Sequence, residues 1–304
     1  MRAGEAPGQT PGVLPRGAAA LESELSELRG VVMSESIEAN VFRQVVVVVV
    51  DGAGVAALPD AASYRDRGAA TLPHVSTYVG GLELPLLQWL GLGNAGPMRG
   101  VDPADPPAAS VGIVGRETAG VDAESALAEM LAGTCRPLVA AGLDVVAVGR
   151  AAELLEADEA TVHQPGSSAR EIMESTVDAV ALPAEGLIVA VVGGEHGHAA
   201  GAHGPVSMSR TLLAVDAGLG PLLDVLAEDA LLLVTSTGGA DATLPIKEGA
   251  TREYAPLLAY TPLVPSGVEL GTRGSLADIA ATIAENFGLE PPAVGESFYG
   301  PLLS

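Results

Sequence analysis

Two stretches of the chain carry side chains able to do chemistry. Asp51 ends the run Val45–Val50 and is followed at once by Gly52, Ala53 and Gly54. A carboxylate in that place can hold a cation or take part in acid–base work. Glu195-His196-Gly197-His198-x4-His203 gathers three of the five histidines. His-x-His with a third histidine nearby suits zinc or another transition metal, and Glu195 can add an oxygen. A water on that metal would then serve as nucleophile or base. Without a metal, a histidine serves as general base because its unperturbed pKa lies near neutrality. In that version Asp51 orients the imidazole and Thr118 donates a hydrogen bond. The rival reading is a glycine-rich loop whose histidines are solvated or bonded to backbone. Glu117, beside Thr118, reads as a second acid or as a solvated loop carboxylate. Asp241, His74 and His163 read as turn or surface residues.

These residues need elements to position them. Six consecutive valines without alternation predict a strand buried on both faces of a parallel sheet. In open α/β sheets the carboxyl ends of such strands form the ligand-binding edge. Asp51 and the 195–203 cluster, which follows Gly186–Val192, both fall there. Further strands are predicted at Asp144–Gly149, Ala230–Thr235 and Leu257–Tyr260. Helices are predicted at Ala123–Leu131, Pro137–Gly142, Ser168–Ala179 and Leu276–Phe287. One more, Arg210–Leu226, carries Gly218 and Pro221 as expected interruptions. This alternation predicts an α/β fold with a doubly wound, mostly parallel sheet flanked by helices.

Gly52-x-Gly54-x-x-Ala57 also fits a dinucleotide-binding fingerprint, but Leu58-Pro59 follows too soon for a good helix. If Asp51 is buried without a cation, it needs other donors. The amides that follow it are candidates, and unless they satisfy it, neutralising Asp51 should stabilise the fold.

Composition narrows the function. A formal net charge of −23 argues against nucleic acid or an anionic membrane as partner, since phosphate neutralisation needs Lys and Arg. Hydrophobic content of 48% suits a sizeable core, and aromatic content of only 3% leaves Val, Leu and Ala to fill it. Cys135 is the one cysteine, so no disulfide framework exists and a cytoplasmic chain is expected. No apolar run is long enough for a transmembrane helix. Residues 1–40, rich in Ala, Gly and Pro, read as a disordered extension with a short helix at Leu21–Leu28, and Met33 is an alternative start. Residues 41–304 read as a single core.

The C-terminal third resembles the phosphopentomutases, metal-dependent members of the alkaline phosphatase superfamily. The resemblance rests on TREYAPLLAYTP (Thr251–Pro262) and GSLADIAATIAENFGLEPPAVGESF (Gly274–Phe298). VVVVVVDGAGVAALPDA, GRET, LDVVAVGRAAEL and DALLLVTSTGGAD precede them in the family's order. It implies an alkaline-phosphatase-like core, a metal ligand at Asp51 and a nucleophile at Thr118. It also implies a metal-ligand pair at His198 and His203, where the family has Asp and His. Thr237-Gly238 stand in place of the family's Asp-His pair, and Ala250 replaces the histidine before Thr-Arg-Glu-Tyr. Arg116-Glu117 replace Lys-Asp before the nucleophile. Arg252 and Glu253 are kept, and Arg252 joins Glu117 and Glu195 as a candidate substrate contact. Only 24 residues separate Thr118 from Leu143, where the family inserts a cap domain, so the cap is reduced to a short connection near 119–142.

A two-metal phosphoryl-transfer site needs several hard oxygen ligands, and too many are replaced here. The chain therefore reads as a repurposed enzyme acting on a small molecule by isomerisation, cyclisation, elimination or hydrolysis. The alternatives are a pseudoenzyme that binds or scaffolds, and a single-zinc hydrolase using residues 195–203. Either no cofactor or one divalent metal, zinc or manganese, fits the remaining ligands Asp51, His198 and His203. Secondary metabolism is the expected setting.

Overall fold

The six valines sit in β1 (Gln44–Val50), every residue of which is buried. Successive side chains point to opposite faces of the sheet, so Val46, Val48 and Val50 fill one apolar layer and Val45, Val47 and Val49 the other. A computed structural model describes residues 41–182, 185–193, 204–244 and 249–303. The predicted extension 1–40 and the 195–203 histidine cluster lie outside the described residues.

β1 lies between β6 (Gly186–Val192) and β7 (Ala230–Ser236), parallel to both. The strand order runs β5 (Val162–Gln164), β4 (Asp144–Gly149), β6, β1, β7, β8 (Glu253–Tyr260), β3 (Ser110–Val114), β9 (Glu269–Arg273). The stretch from β5 to β7 is parallel throughout. β8 runs antiparallel to both its neighbours, and β3 and β9 pair in parallel. The sheet is thus mostly parallel and helix-flanked, as the alternation predicts.

The glycines after Asp51 have a packing reason. Gly52 takes φ +75°, and a Cβ there would stand 2.7 Å from Ala240 Cβ. A Cβ on Gly54 would stand 2.4 Å from the Glu253 carboxylate. The chain then enters β2 (Ala56–Ala57), antiparallel to β8, rather than a helix. A dinucleotide loop needs a helix N-terminus at that point, so the fingerprint reading fails.

Among the described residues nine α-helices pack the faces: α1 (Thr71–Tyr78), α2 (Pro85–Leu90), α3 (Leu92–Ala95), α4 (Ala123–Met130), α5 (Cys135–Ala140), α6 (Ala151–Leu154), α7 (Ala169–Val180), α8 (Pro205–Val225) and α9 (Ala277–Asn286). The expected break in α8 does not occur: the helix runs unbroken through Gly218 and Pro221. Val215, Leu219 and Leu222 are fully buried along it, and that burial offsets the hydrogen bond lost at Pro221. Between Thr118 and β4 the chain forms α4 and α5.

Candidate active site at the carboxyl edge of the sheet

Asp51 is the first residue beyond β1, and its N–H donates to Val192 O at 2.9 Å. Its side chain is buried, and both carboxylate oxygens are engaged. Thr237 Oγ1 donates to Oδ1 at 2.6 Å, and Arg150 Nη1 donates to Oδ2 at 2.8 Å. Arg150 stands just past β4, two strands away, and its side chain keeps 33% exposure. The amide of Gly52 donates to Thr237 Oγ1 at 3.0 Å instead of to Asp51. The donors expected from the following amides are therefore two side chains from distant strand ends. Neutralising Asp51 should weaken the fold rather than stabilise it.

Thr237 links this cluster to a second guanidinium. Its carbonyl accepts from Arg116 Nη1 at 3.2 Å. Arg116 also reaches Thr118 Oγ1 from Nε at 3.3 Å and from Nη2 at 3.2 Å, and Ser125 Oγ at 2.9 Å. Burial pushes the Arg116 pKa down; the Glu129 carboxylate opposes this and the neighbouring Arg252 reinforces it. Arg150, Asp51, Thr237, Arg116 and Thr118 thus form one continuous polar chain. Thr118 is half-buried within it, whereas Glu117 is exposed.

The loop carrying Thr118 is held by two residues from elsewhere. Buried Glu129 on α4 accepts from the amides of Glu117 and Thr118, each at 2.9 Å, and from Ser275 Oγ at 2.8 Å and Leu276 N at 3.1 Å. Burial pushes its pKa up, but these donors outweigh that and leave it below the usual glutamate range. Arg252 spends Nε on Asp60 at 3.1 Å, Nη1 on the carbonyls of Thr118 and Gly120, and Nη2 on the carbonyl of Arg116 at 3.1 Å. Its guanidinium also lies 4.9 Å from the Tyr64 ring centroid. All three nitrogens serve the protein, which makes Arg252 a positioning residue in place of the expected substrate contact.

A second carboxylate cluster lies beyond Thr237. Glu253, 1% exposed, accepts from Thr71 N and Thr71 Oγ1, each at 2.8 Å, and from Thr251 Oγ1 at 2.5 Å. Asp241, also 1% exposed, accepts from Ala70 N at 3.1 Å, Thr243 Oγ1 at 2.6 Å and His74 Nδ1 at 2.6 Å. The two acids supply the cap that α1 lacks, since Ala70 offers no side-chain cap. Asp241 is thus a buried acceptor, a correction to its reading as a turn or surface residue, whereas the His74 imidazole it holds keeps 39% exposure, in line with its surface reading. His163 is exposed on β5, as expected. Desolvation raises the Glu253 pKa, the Asp241 charge adds to that, and the hydroxyl and amide donors only partly oppose it. Desolvation also presses the Asp241 pKa up, but Thr243, Ala70 and His74 outweigh it and leave it lowered.

The donor set does not fit a pair of divalent ions among the described residues. Asp51 is already neutralised and hydrogen-bonded, and no three His, Cys, Asp or Glu side chains among the described residues converge as metal ligands. His196, His198, His203 and Glu195 lie outside those residues. Arg150, Glu129 and the Asp241–His74 pair were not singled out from sequence. Arg150 alone carried a signal, as a basic residue closing a predicted strand at the ligand edge.

Comparison with known proteins bears on this arrangement. A family model described as the Metalloenzyme superfamily matches residues 43–291. The phosphopentomutase of Herpetosiphon aurantiacus is 37% identical over 168 residues, which cover 54% of this chain and 42% of that protein. The phosphopentomutase of Syntrophotalea carbinolica is 27% identical over 392 aligned positions, covering 86% of this chain and 99% of that protein. Among solved structures, the phosphonate monoester hydrolase of Agrobacterium radiobacter shares the fold at a TM-score of 0.51 and 12% identity, over 86% of this chain and 77% of that one.

Proposed function

The chain belongs to the Metalloenzyme superfamily as a phosphopentomutase-like member, and from that premise we propose that it is a repurposed enzyme acting on a small molecule. It works by acid–base chemistry at the carboxyl edge of the sheet, as an isomerase, cyclase, lyase or hydrolase, rather than by two-metal phosphoryl transfer. The observation that carries this reading is the closure of Asp51 by Arg150 and Thr237. Metal ions of the kind the family uses would supply charge neutralisation and an activated nucleophile. Here guanidinium groups stand beside the equivalent oxygens.

His74 is the proton-transfer group of this reading. Buried Asp241 holds its Nδ1, and the imidazole side chain is 39% exposed. An imidazole held by a carboxylate through Nδ1 presents Nε2 for proton exchange. Thr118, bonded by Arg116, and Arg150 are placed to steady negative charge on a substrate. The net charge of −23 supports a small-molecule substrate over nucleic acid. Among the described residues no helix is long and apolar enough to cross a membrane.

The test is a substrate panel, including pentose phosphates, run with and without chelator alongside elemental analysis. Turnover that survives chelation and is lost in His74→Gln is expected. Pentose phosphate isomerisation that needs two equivalents of manganese would overturn the reading. A second reading, a binding protein without turnover, is favoured by the full commitment of Arg252 and Glu129 to holding the loop. One tightly bound zinc would instead point to the Glu195–His203 cluster.

A further inference from the structure

The Asp51 cluster contains a buried carboxylate, and a buried carboxylate is stable only when something neutralises it and fills its lone pairs. In this chain both tasks fall to protein groups. Arg150 brings a guanidinium charge, and its Nη1 lies 2.8 Å from Oδ2. Thr237 fills Oδ1 at 2.6 Å and is itself held by the Gly52 amide and by Arg116. To make the ion pair, Arg150 must reach from β4 across β6. The intervening strand ends at Val192, and Gly193 just after it contributes no side chain beside Asp51; a Cβ there would lie 3.9 Å from Asp51 Cβ.

We propose that Arg150 is the resident cation of this site, a covalently tethered substitute for a divalent ion, and that Asp51 is a latent metal ligand that Arg150 keeps closed. A hard divalent ion binds carboxylate oxygen at about 2.0–2.6 Å. On the lone pair that Nη1 now fills it would overlap that nitrogen and face its positive charge. An ion on that lone pair and the guanidinium exclude each other. The inference rests on the reading above that the site works without a metal pair, and it adds which group took the metal's place.

The test is a manganese titration of the chelator-treated full chain, followed by calorimetry and by thermal melting. It compares the wild type, Arg150→Ala, Asp51→Asn and the double variant. In the wild-type background Asp51→Asn leaves manganese affinity unchanged. Arg150→Ala binds manganese at least about tenfold more tightly than wild type, an effect of the size neighbours of metal ligands commonly exert. The gain disappears in the double variant. Two results would overturn the proposal: Asp51→Asn weakening manganese binding in the wild type, or folded Arg150→Ala gaining none. If Arg150→Ala does not fold, Arg150→Gln, which keeps a donor but no charge, decides by the same titration. Because the titration is blind to turnover, it can fail while the acid–base reading stands, and the substrate panel can fail while the titration succeeds.

Discussion

Asp51 and Glu253 are both buried carboxylates at the same edge of the sheet, yet they are stabilised in opposite ways. Asp51 faces a guanidinium and one hydroxyl. Glu253 faces two hydroxyls and one amide, and among the described residues the like charge of Asp241 acts on it. A cation favours the ionised form, whereas neutral donors in a desolvated pocket do not suffice to hold it. The comparison separates an electrostatic clamp, where charge is indispensable, from a hydrogen-bonded plug, where shape and donors suffice.

The largest expected effect comes from breaking the clamp. Arg150→Ala strands a buried carboxylate and should cost about 3 kcal/mol, at the low end for a broken buried pair because Arg150 is partly exposed. Urea unfolding measures it. Asp51→Asn keeps an acceptor for Thr237 but removes the ion pair, and should destabilise by about 1–2 kcal/mol in the same assay. A stabilised Asp51→Asn would mean that the clamp is a net burden. Glu253→Gln, a neutral isostere, should change stability by less than about 1 kcal/mol near neutral pH. A loss as large as that of Arg150→Ala would erase the distinction between the two regions.

The pH dependence sharpens the contrast with opposite signs. Glu253 has a raised pKa in the folded state, so its stabilising contribution is complete below the ordinary glutamate value and lost as the pH rises through the folded value. The stability of Glu253→Gln relative to wild type should therefore increase with pH across that window. Asp241 and Glu129 have lowered values, so their contributions are present above the ordinary carboxylate range and lost as the pH falls below it. Asp241→Asn should flatten the acid limb of the stability curve, measured by unfolding at stepped pH, and leave the alkaline limb in place.

Much of the scaffold was legible. The Val45–Val50 run declared a central strand because only a doubly buried strand tolerates so many consecutive β-branched residues. The strands at 144–149 and 186–192 fall where their apolar runs lie. The site was legible only in its location. Glu129 sits on an amphipathic helix, and nothing local marks it as the acceptor for the loop at 117–118 and the turn at 275–276. α8 shows the reverse case, since local breakers at 218 and 221 were overridden by packing.

By itself, then, the sequence determined the doubly wound core, the family resemblance and the arrival of Asp51 at the ligand edge. Local pattern carries these, because apolar periodicity and strand length are properties of neighbouring residues. Only the tertiary structure decided what meets Asp51. Arg150 lies 99 positions away and Thr237 lies 186 away. They converge because the strand order places β4, β6, β1 and β7 side by side with their carboxyl ends aligned. Charge compensation in a buried site is set by that adjacency, and no spacing along the chain encodes it.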